Sequence, residues 1–430
     1  MNINVHPRVL RIRAGAVRDA TGVAARPGVV VVDNGRIAYA GSAAGAPHTG
    51  DDVRTLDLPR SLVLPGMVNA HAHLSMTRLG PLPYGGSFTD WIRQTSTKLF
   101  DDFDQGGSVR AAVRQGAAML HDAGVAAVGD ITLRRDALDA YDELSRSPLA
   151  GVSFMEILSP GGPAIKDEWR RLEQLEQEPA QRGRIRMGLQ PHAPYSTVPA
   201  LYQACVDLAR QRDLPLTTHL AELPAEAEYV ARATGPFREM IERLGQWRDA
   251  TAMHYCHDLT PVQWLAPMLE QAAFVVAHCN YVSDADLQRL AACGASVAYC
   301  PIASEYYGHR DHRYRDMLAA GVNVCLGSDS LACADPHDAQ PLSILSQMRR
   351  LYQRDGADPA VLLAMATTHG VRALQLPADF ATLKPQAPAT LVSIAFDPDD
   401  PTDPLAQALR GDARIEAINH HFSLPRSPTA

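Results

Sequence analysis

Short apolar runs separated by turn signals occupy both ends of the chain. They lie at residues 9–12, 28–32, 33–41, 388–396 and 414–420. The pair Asn34-Gly35 between two N-terminal runs is typical of a tight β-hairpin. We predict that residues 1–63 and 381–430 pair into one small composite β-sandwich domain, although they are far apart in the sequence.

Between these ends the pattern changes to short apolar runs separated by longer amphipathic stretches. Eight such runs lie at residues 63–71, 125–131, 151–157, 185–190, 214–218, 273–277, 295–299 and 322–326. Parallel strands are buried on both faces and therefore apolar throughout, whereas amphipathic stretches are typical of the helices that cover them. Eight strands alternating with helices indicate a closed barrel. The sequence thus predicts an α/β protein, a (β/α)8 TIM-like barrel at residues 64–380 inserted into the β-sandwich.

Composition and charge indicate which kinds of partner the protein binds. The 430 residues carry a formal net charge of −8, which provides no basic surface for nucleic acid. No run approaches the roughly 20 apolar residues that span a membrane. Seven cysteines without a Cys-x-x-Cys pair are typical of a reducing compartment rather than of a disulfide framework. We expect a cytoplasmic protein with a small-molecule partner and no membrane association.

The first barrel strand ends in two histidines, His71 and His73. Because side chains alternate along a strand, both imidazoles point to one side, where they are able to bind a single metal ion. An isolated His-x-His is more often just a pair of histidines near a strand end. Six further predicted strands, however, end in ionisable residues, namely Asp130, Glu156, His192, His219 with Glu222, His278 and Asp329. Since strand ends meet at one rim of a barrel, we expect these side chains to form one functional site.

The residues at this rim divide by the chemistry of their side chains. The set suited to one Zn²⁺ ion, or to Fe²⁺ as the alternative, consists of His71, His73, His219 and Asp329. Such an ion lowers the pKa of a bound water towards about 7. Glu222, three residues after His219, is placed to carry a proton between water and substrate. His278 is predicted to hydrogen-bond the attacking water, and His192 is better placed for substrate than for metal.

Other polar residues have open or simpler interpretations. Asp130 and Glu156 are explained equally well as supporting or helix-capping groups. His309 and His312 lie in the loop after the seventh strand, where contact with substrate is an alternative to a purely structural role. Two-metal sites of barrel hydrolases commonly use a carbamylated lysine at the end of the fourth strand. The lysines of this chain, Lys98, Lys166 and Lys384, end no predicted strand, so a mononuclear site follows.

Five segments, at residues 65–73, 219–222, 277–279, 327–330 and 366–374, carry a family resemblance. Together they resemble the amidohydrolase superfamily and, within it, the cytosine deaminase-like or chlorohydrolase group. The resemblance implies a barrel with a composite β domain, one divalent metal, and hydrolytic removal of ammonia from an aminated heterocycle. It also implies roles for individual side chains: metal binding by His71, His73, His219 and Asp329, and catalysis by Glu222 and His278, with Asp329 helping to take up the proton of water.

Further segments resemble particular groups of deaminases. Residues 85–92, which include Trp91, are similar to a segment of aminodeoxyfutalosine deaminases, as are residues 300–309 and 326–332. His192 and its neighbours are shared with deaminases of S-adenosylhomocysteine and methylthioadenosine. The resemblance implies that Trp91 and His192 contact the substrate, and we expect a homodimer. The chain departs from many relatives at Ala303-Ser304, where they carry Ser-Asn, and at residues 334–340, an additional loop.

The sequence therefore predicts a metal-dependent aminohydrolase of a purine nucleoside or analogue, such as aminodeoxyfutalosine or an adenosine derivative. One alternative is a hydrolase of another heterocycle, such as guanine, cytosine or a chlorinated triazine. Another is a metal-free binding protein or scaffold that has kept the fold. Glu222 favours deamination over chloride loss, because departing ammonia needs a proton more than chloride does.

Overall fold

The computed structural model describes residues 9–47 and 53–418. Its strands are β1 (Val9–Arg18), β2 (Ala24–Ala25), β3 (Gly28–Asp33), β4 (Arg36–Ser42), β5 (Val53–Pro65), β6 (Met67–Ala72), β7 (Val125–Thr132), β8 (Ala150–Ile157), β9 (Gln181–Arg182), β10 (Ile185–Pro191), β11 (Leu216–Leu220), β12 (Phe274–His278), β13 (Ser296–Tyr299), β14 (Asn323–Leu326), β15 (Leu391–Ala395) and β16 (Ile415–Ala417). The last predicted strand, residues 414–420, extends past the described residues at positions 419 and 420.

Helices follow most of the barrel strands. They are α1 (Phe88–Asp104), α2 (Val109–Asp122), α3 (Ala137–Ser145), α4 (Ile165–Gln177), α5 (Pro199–Arg212), α6 (Pro224–Arg232), α7 (Pro236–Arg243), α8 (Asp249–Ala252), α9 (Pro261–Leu269), α10 (Asp284–Ala292), α11 (Pro301–Tyr306), α12 (Tyr314–Ala319), α13 (Ile344–Asp355), α14 (Pro359–Ala366), α15 (Thr368–Ala373) and α16 (Pro404–Arg410). Short 3-10 turns lie at Ala43–Gly45, Leu74–Leu79 and Leu331–Cys333. None of the described helices is long and apolar enough to cross a bilayer.

One sheet joins the two ends of the chain, as predicted. Its strand order is β16-β15-β5-β1-β3-β4, with β2 paired to β1. β15 runs antiparallel to the end of β5, with Val392 opposite Leu64. Alternate residues of β1, such as Leu10 and Ile12, are buried in a core that they share with Leu391. The period of two in β1 is therefore the pattern of a strand with one buried face.

The second sheet is a nearly closed parallel barrel. Eight strands follow one another in the order β14-β13-β12-β11-β10-β8-β7-β6, and the short β9 pairs with β10 outside this path. A bridge between Ala72 and Asp329 links the two outer strands. Every residue of β7 and β8 is buried, which explains why these runs are mostly apolar, with the ionisable Asp130 and Glu156 close to their C-terminal ends. The predicted fold class, a (β/α)8 barrel with a small β domain, is confirmed.

Local capping signals fix several helix limits. Ser283 begins α10 with a capping box that includes Asp286. The polar segment at residues 397–403, between β15 and β16, leads directly into helix α16. Its N-cap Asp403 accepts hydrogen bonds from the amides of Leu405 and Ala406. An Asp-Pro pair is a recognised signal for the start of a helix, although no helix was predicted here from the sequence.

The described residues form two compact units. One contains residues within 1–69, 118–127 and 338–430, and the other contains residues 70–117 and 128–337. The limits of these units fall within strands β6 and β7, so the predicted domain limits, 1–63, 64–380 and 381–430, stay a prediction. All residues of the candidate site belong to the second unit.

Replacing Gly151 with Ala is expected to destabilise the protein by about 2–5 kcal/mol. Gly151 lies in β8 with a φ of +134°, and a Cβ atom there would overlap the carbonyl oxygen of Val128 in β7. Thermal or urea unfolding measures the loss. Gly245→Ala is the matched control, since Gly245 also has a positive φ, +66°, but faces open space. Equal losses of unfolding free energy in the two variants would contradict a destabilising overlap at Gly151.

Candidate active site

Three imidazoles and one carboxylate converge at the rim of the barrel. His71 is the next-to-last residue of β6 and His73 directly follows the strand, and their Nε2 atoms are 3.3 Å apart. His219 of β11 places its Nε2 3.4 Å from the Nε2 of His73. Asp329, just after β14, has its Oδ1 3.3 Å from His73 Nε2 and 3.8 Å from His71 Nε2. These side chains, which we call the quartet, were predicted to meet, and the structure brings them together.

The spacing of the quartet fits a single metal ion. Ligand atoms about 2.0–2.1 Å from one ion are roughly 3–4 Å from one another. Four of the six separations among these donor atoms are 3.3, 3.4, 3.3 and 3.8 Å, within this range. Backbone bonds fix the carboxylate, because the amides of Ser328 and Asp329 both donate to the carbonyl oxygen of His71, at 3.1 and 3.0 Å. The donor types, nitrogen and oxygen, are those that Zn²⁺ or Fe²⁺ accept.

The protonation state of the quartet also suits a metal. The Nδ1 of His219 is 3.1 Å from the carbonyl oxygen of His192 and 3.1 Å from the side-chain nitrogen of Gln190. The carbonyl only accepts, whereas the Gln190 amide presents its oxygen when it is turned over, so both contacts are satisfied when Nδ1 carries the proton. The lone pair of Nε2 then faces the other ligands. Burial lowers the pKa of His219 to about 4, and it lowers the pKa of His71 and His73 well below the usual range. At neutral pH all three imidazoles are therefore neutral, as metal binding requires.

Glu222 lies in the turn after β11, next to the quartet. Donor atoms of Glu222, His278 and Asp329 lie within 4.8 Å of one another, and Glu222 Oε1 is 3.7 Å from His278 Nε2. Burial, and then the charge of Asp329, raise the pKa of Glu222 well above that of an ordinary glutamate. Such a side chain is able to hold a proton at neutral pH and release it to a substrate.

Glu226 holds the backbone at Glu222. Its carboxylate accepts hydrogen bonds from the amides of Ala221 and Glu222, both at 2.9 Å, while Ala221 adopts a positive φ of +51°. Asn280 donates to the carbonyl oxygen of Glu222 at 3.1 Å. Neither Glu226 nor Asn280 was predicted from the sequence. For Glu226 a signal existed, because a glutamate in the first turn of a helix commonly binds free amides.

His278 ends β12 in an unusual backbone conformation. Its φ is +73°, which costs a non-glycine residue about 1–3 kcal/mol. His312 supports this conformation, since its Nε2 is 2.7 Å from the carbonyl oxygen of His278. The His312 ring is buried and stacks on Tyr299, with ring centres 3.7 Å apart. The sequence left both substrate contact and a structural role open for His312, and the structure makes it a positioning residue for His278.

Replacing His312 with Phe is expected to lower kcat about 10- to 100-fold with little change in metal content, as for other residues that orient a metal-site partner. Phe keeps the stacking on Tyr299 but removes the hydrogen-bond donor. His312→Gln restores a donor and is expected to recover most of the turnover, and His309→Phe is the neighbouring control. Steady-state kinetics and metal analysis test this. A His312→Phe enzyme with unchanged kcat would contradict the positioning role.

A cavity of about 480 Å³ opens beside the quartet. Trp91 and His192, the two predicted substrate contacts, both line it. Trp91 is held by a hydrogen bond from its Nε1 to the hydroxyl of Tyr306, at 2.9 Å. The remainder of the wall is largely apolar and includes Leu99, Leu133, Leu158, Met240, Ile241 and Leu244. A concave, mainly apolar site with a few polar groups is typical of small-molecule binding.

The other polar residues separate into distinct positions. Asp130 accepts a hydrogen bond from the amide of Leu74 at 2.9 Å, so it supports the turn that follows His73. Glu156 lines the cavity instead. All seven cysteines are free. The lysines lie in α1, in α4 and in a turn, so no lysine ends a strand.

Sequence comparison agrees with this geometry. The model of the amidohydrolase family matches residues 62–423. The chain is 30% identical over 383 residues to an aminodeoxyfutalosine deaminase of Deinococcus radiodurans, covering 82% of each protein. It is 27% identical over 379 residues to a 5-methylthioadenosine/S-adenosylhomocysteine deaminase of Syntrophobacter fumaroxidans, covering 86% of this chain and 80% of that one.

Solved structures share the fold over nearly the whole chain. An aminofutalosine deaminase of Helicobacter pylori superposes with a TM-score of 0.75 at 21% identity, covering 95% of this chain and 97% of that one. An adenosine deaminase of Xanthomonas campestris with bound zinc gives a TM-score of 0.69 at 21% identity, covering 95% and 90%. The resemblance predicted from the sequence motifs is confirmed: this chain belongs to the amidohydrolase family.

Proposed function

We propose that this protein is a metal-dependent hydrolytic deaminase of an aminated purine nucleoside or close analogue, such as aminodeoxyfutalosine or an adenosine derivative. The observation that carries the proposal is the quartet with the buried Glu222 beside it, at the wall of a cavity for a small molecule. The names of the related nucleoside deaminases support the same substrate class.

We further propose that the quartet holds one divalent ion, with Zn²⁺ as the first choice and Fe²⁺ as the alternative. When bound, such an ion polarises a water molecule and lowers its pKa towards about 7. The nitrogen and oxygen donors of the quartet support zinc, as does the zinc in the Xanthomonas campestris adenosine deaminase. Zinc accepts a fifth ligand, so a water molecule would bind beside the four side chains.

Three side chains at or beside the quartet move protons or orient the water. Glu222 gives its proton to the ring nitrogen next to the amine-bearing carbon. His278, 3.7 Å from Glu222, orients the attacking water, and Asp329 takes up a proton from it. A carbon–oxygen bond forms and the carbon–nitrogen bond then breaks. Asp329 passes the proton it took up to the departing amine, the new hydroxyl group returns a proton to Glu222, and the products are ammonia and a ring carbonyl. Trp91 and His192 contact the heterocycle or its sugar from the cavity wall.

The remaining sequence predictions stay proposals. We propose a cytoplasmic homodimer that binds a small heterocyclic molecule and neither nucleic acid nor membrane. The free state of all seven cysteines supports a reducing compartment. Size-exclusion chromatography with light scattering measures the oligomeric state, and a monomer would exclude the dimer.

An ammonia-release screen tests the function. Its substrates are adenosine, methylthioadenosine, S-adenosylhomocysteine, aminodeoxyfutalosine, guanine and cytosine. Ammonia release from at least one purine nucleoside is the expected result. Release only from guanine or cytosine, or chloride release from a chlorinated triazine without any deamination, would favour the alternative of a different heterocycle. Folded protein that contains metal and acts on none of these compounds would contradict the proposal.

A further inference from the structure

Asn280 lies two residues after His278, beside the turn that carries Glu222. His278 and Cys279 have positive φ values, +73° and +52°, which non-glycine residues adopt only where the surrounding structure holds them. The amide of Cys279 donates to the carbonyl oxygen of Leu220 at 2.9 Å, so the chain after β12 runs alongside the end of β11. This path brings the side chain of Asn280 to the backbone of Glu222.

The amide group of Asn280 joins Glu222 to Ser304 of α11. Its Nδ2 donates to the carbonyl oxygen of Glu222 at 3.1 Å, and its Oδ1 accepts from the hydroxyl of Ser304 at 2.8 Å. A backbone carbonyl only accepts hydrogen bonds, so the nitrogen of the amide must face Glu222 and the oxygen must face Ser304. The hydroxyl of Ser304 is therefore the donor, and it fixes which way the amide of Asn280 points.

All members of this chain of hydrogen bonds are buried. Ser304 is 1% exposed, Asn280 3% and Glu222 5%. Water does not replace a partner lost at such a place, so removal of one group leaves the next one unpaired. Ser304 and Asn280 do not line the cavity, whereas Glu222 does. Any effect of the first two residues on the reaction therefore passes through Glu222.

The backbone of Glu222 is held on both sides. Glu226 accepts a hydrogen bond from its amide at 2.9 Å, and Asn280 donates to its carbonyl oxygen. With the backbone fixed, only side-chain rotations remain to place Glu222 Oε1, which lies 3.7 Å from His278 Nε2. A displacement of about 1 Å in a reacting group is able to cost about 10²-fold in rate.

Helix α11 also supports the wall of the cavity. The hydroxyl of Tyr306 accepts a hydrogen bond from Trp91 Nε1 at 2.9 Å, and Tyr307, which directly follows the helix, lines the cavity. Ser304 belongs to the same helix. One short helix therefore supports both a wall against which the substrate would bind and, through Asn280, the backbone of Glu222.

We propose that Ser304 and Asn280 are positioning residues for proton donation by Glu222. Ser304 orients the amide of Asn280, and Asn280 holds the backbone of Glu222 so that its carboxyl group reaches the ring nitrogen of the bound substrate. This inference rests on the proposed deaminase function. A pair that acts only on this proton transfer changes kcat and leaves KM and metal binding nearly unchanged.

Alanine variants test the pair. Asn280→Ala is expected to lower kcat for deamination about 10- to 100-fold, and Ser304→Ala about three- to tenfold, with KM and metal content near the wild-type values. The double variant is expected to have a kcat within about twofold of Asn280→Ala, because Ser304 acts through Asn280. Ser296 and Asn323 form the matched control, a buried pair joined by a hydrogen bond of 2.9 Å at the first residues of β13 and β14. Their alanine variants are expected to keep the wild-type kcat.

A chlorinated substrate separates the positioning of Glu222 from a general disturbance of the site. Departing chloride needs a proton less than ammonia does, so the loss of kcat in Asn280→Ala is expected to be smaller for a 6-chloropurine nucleoside than for the 6-amino compound. A general disturbance would lower both rates by the same factor. Steady-state kinetics on the two substrates and elemental analysis of each variant measure these quantities.

The outcomes separate this inference from the proposed function. An active wild-type enzyme whose Asn280→Ala and Ser304→Ala variants keep their kcat overturns the positioning role while deamination stands. Equal losses on the amino and chloro substrates, fully additive losses in the double variant, or a loss of metal that accounts for the lower rate also overturn it. If Asn280→Ala does not fold, Ser304→Ala decides, and its loss must be larger for the amino substrate. A wild-type enzyme that deaminates no nucleoside contradicts the proposed function, and this inference falls with it.

Discussion

Replacing Glu222 with Gln is expected to lower kcat by about 10²- to 10⁴-fold while the metal content stays at the wild-type level. The amide has nearly the shape of the carboxyl group but has no proton to give to the ring nitrogen. Glu222 is not a member of the quartet, so the ion keeps its four ligands. Initial rates of ammonia release and elemental analysis of the same preparation measure the two quantities together.

A chlorinated substrate makes the test of Glu222 specific. Departing chloride needs protonation less than ammonia does, so the loss of rate in Glu222→Gln is expected to be smaller for a 6-chloropurine nucleoside than for the 6-amino compound. Glu143→Gln serves as the control, because Glu143 is also a buried glutamate but does not line the cavity. Equal losses on the two substrates, or turnover within a few fold of the wild type, would reject the proton-transfer role.

The barrel and the quartet could be predicted from the sequence, for physical reasons. Strands buried on both faces leave uninterrupted apolar runs, and a period of two brings His71 and His73 to one side. The carboxyl ends of all barrel strands meet at one rim, so the ionisable residue at each strand end points to a shared site even though hundreds of residues separate His71 from Asp329.

The backbone conformations and contacts that support the site could not be predicted from the sequence in the same way. The positive φ values of His278 and Asp329 follow from how the strands end in space, and neither residue type reveals them. The contact of His312 with the carbonyl of His278 joins a loop to a strand, and no local pattern marks it. The distance of 3.9 Å between Glu156 Oε1 and His192 Nε2 depends on the register of β8 and β10. Each of these features depends on distances between elements, which hydropathy does not encode.

Removal of the metal is expected to abolish turnover and to lower the melting temperature of the wild-type protein. Without an ion the three imidazoles are neutral and buried, and lone pairs that would otherwise bind a cation face one another and a carboxylate across 3.3–3.8 Å. An ion that binds only the folded state stabilises it by about 4 kcal/mol when its free concentration is a thousandfold above Kd. Chelation followed by calorimetry and by elemental analysis measures this loss.

Variants of the quartet make the test decisive. His73→Ala removes the ligand whose Nε2 is nearest to both His71 and Asp329, so its melting temperature is expected to be insensitive to chelator and to added zinc. Glu222→Gln keeps the quartet and is expected to respond like the wild type although it is nearly inactive. One ion per chain is the expected stoichiometry, since no lysine is placed to bridge two ions. Protein purified without a bound divalent ion, with a melting temperature that neither chelator nor zinc changes, would instead support a metal-free scaffold.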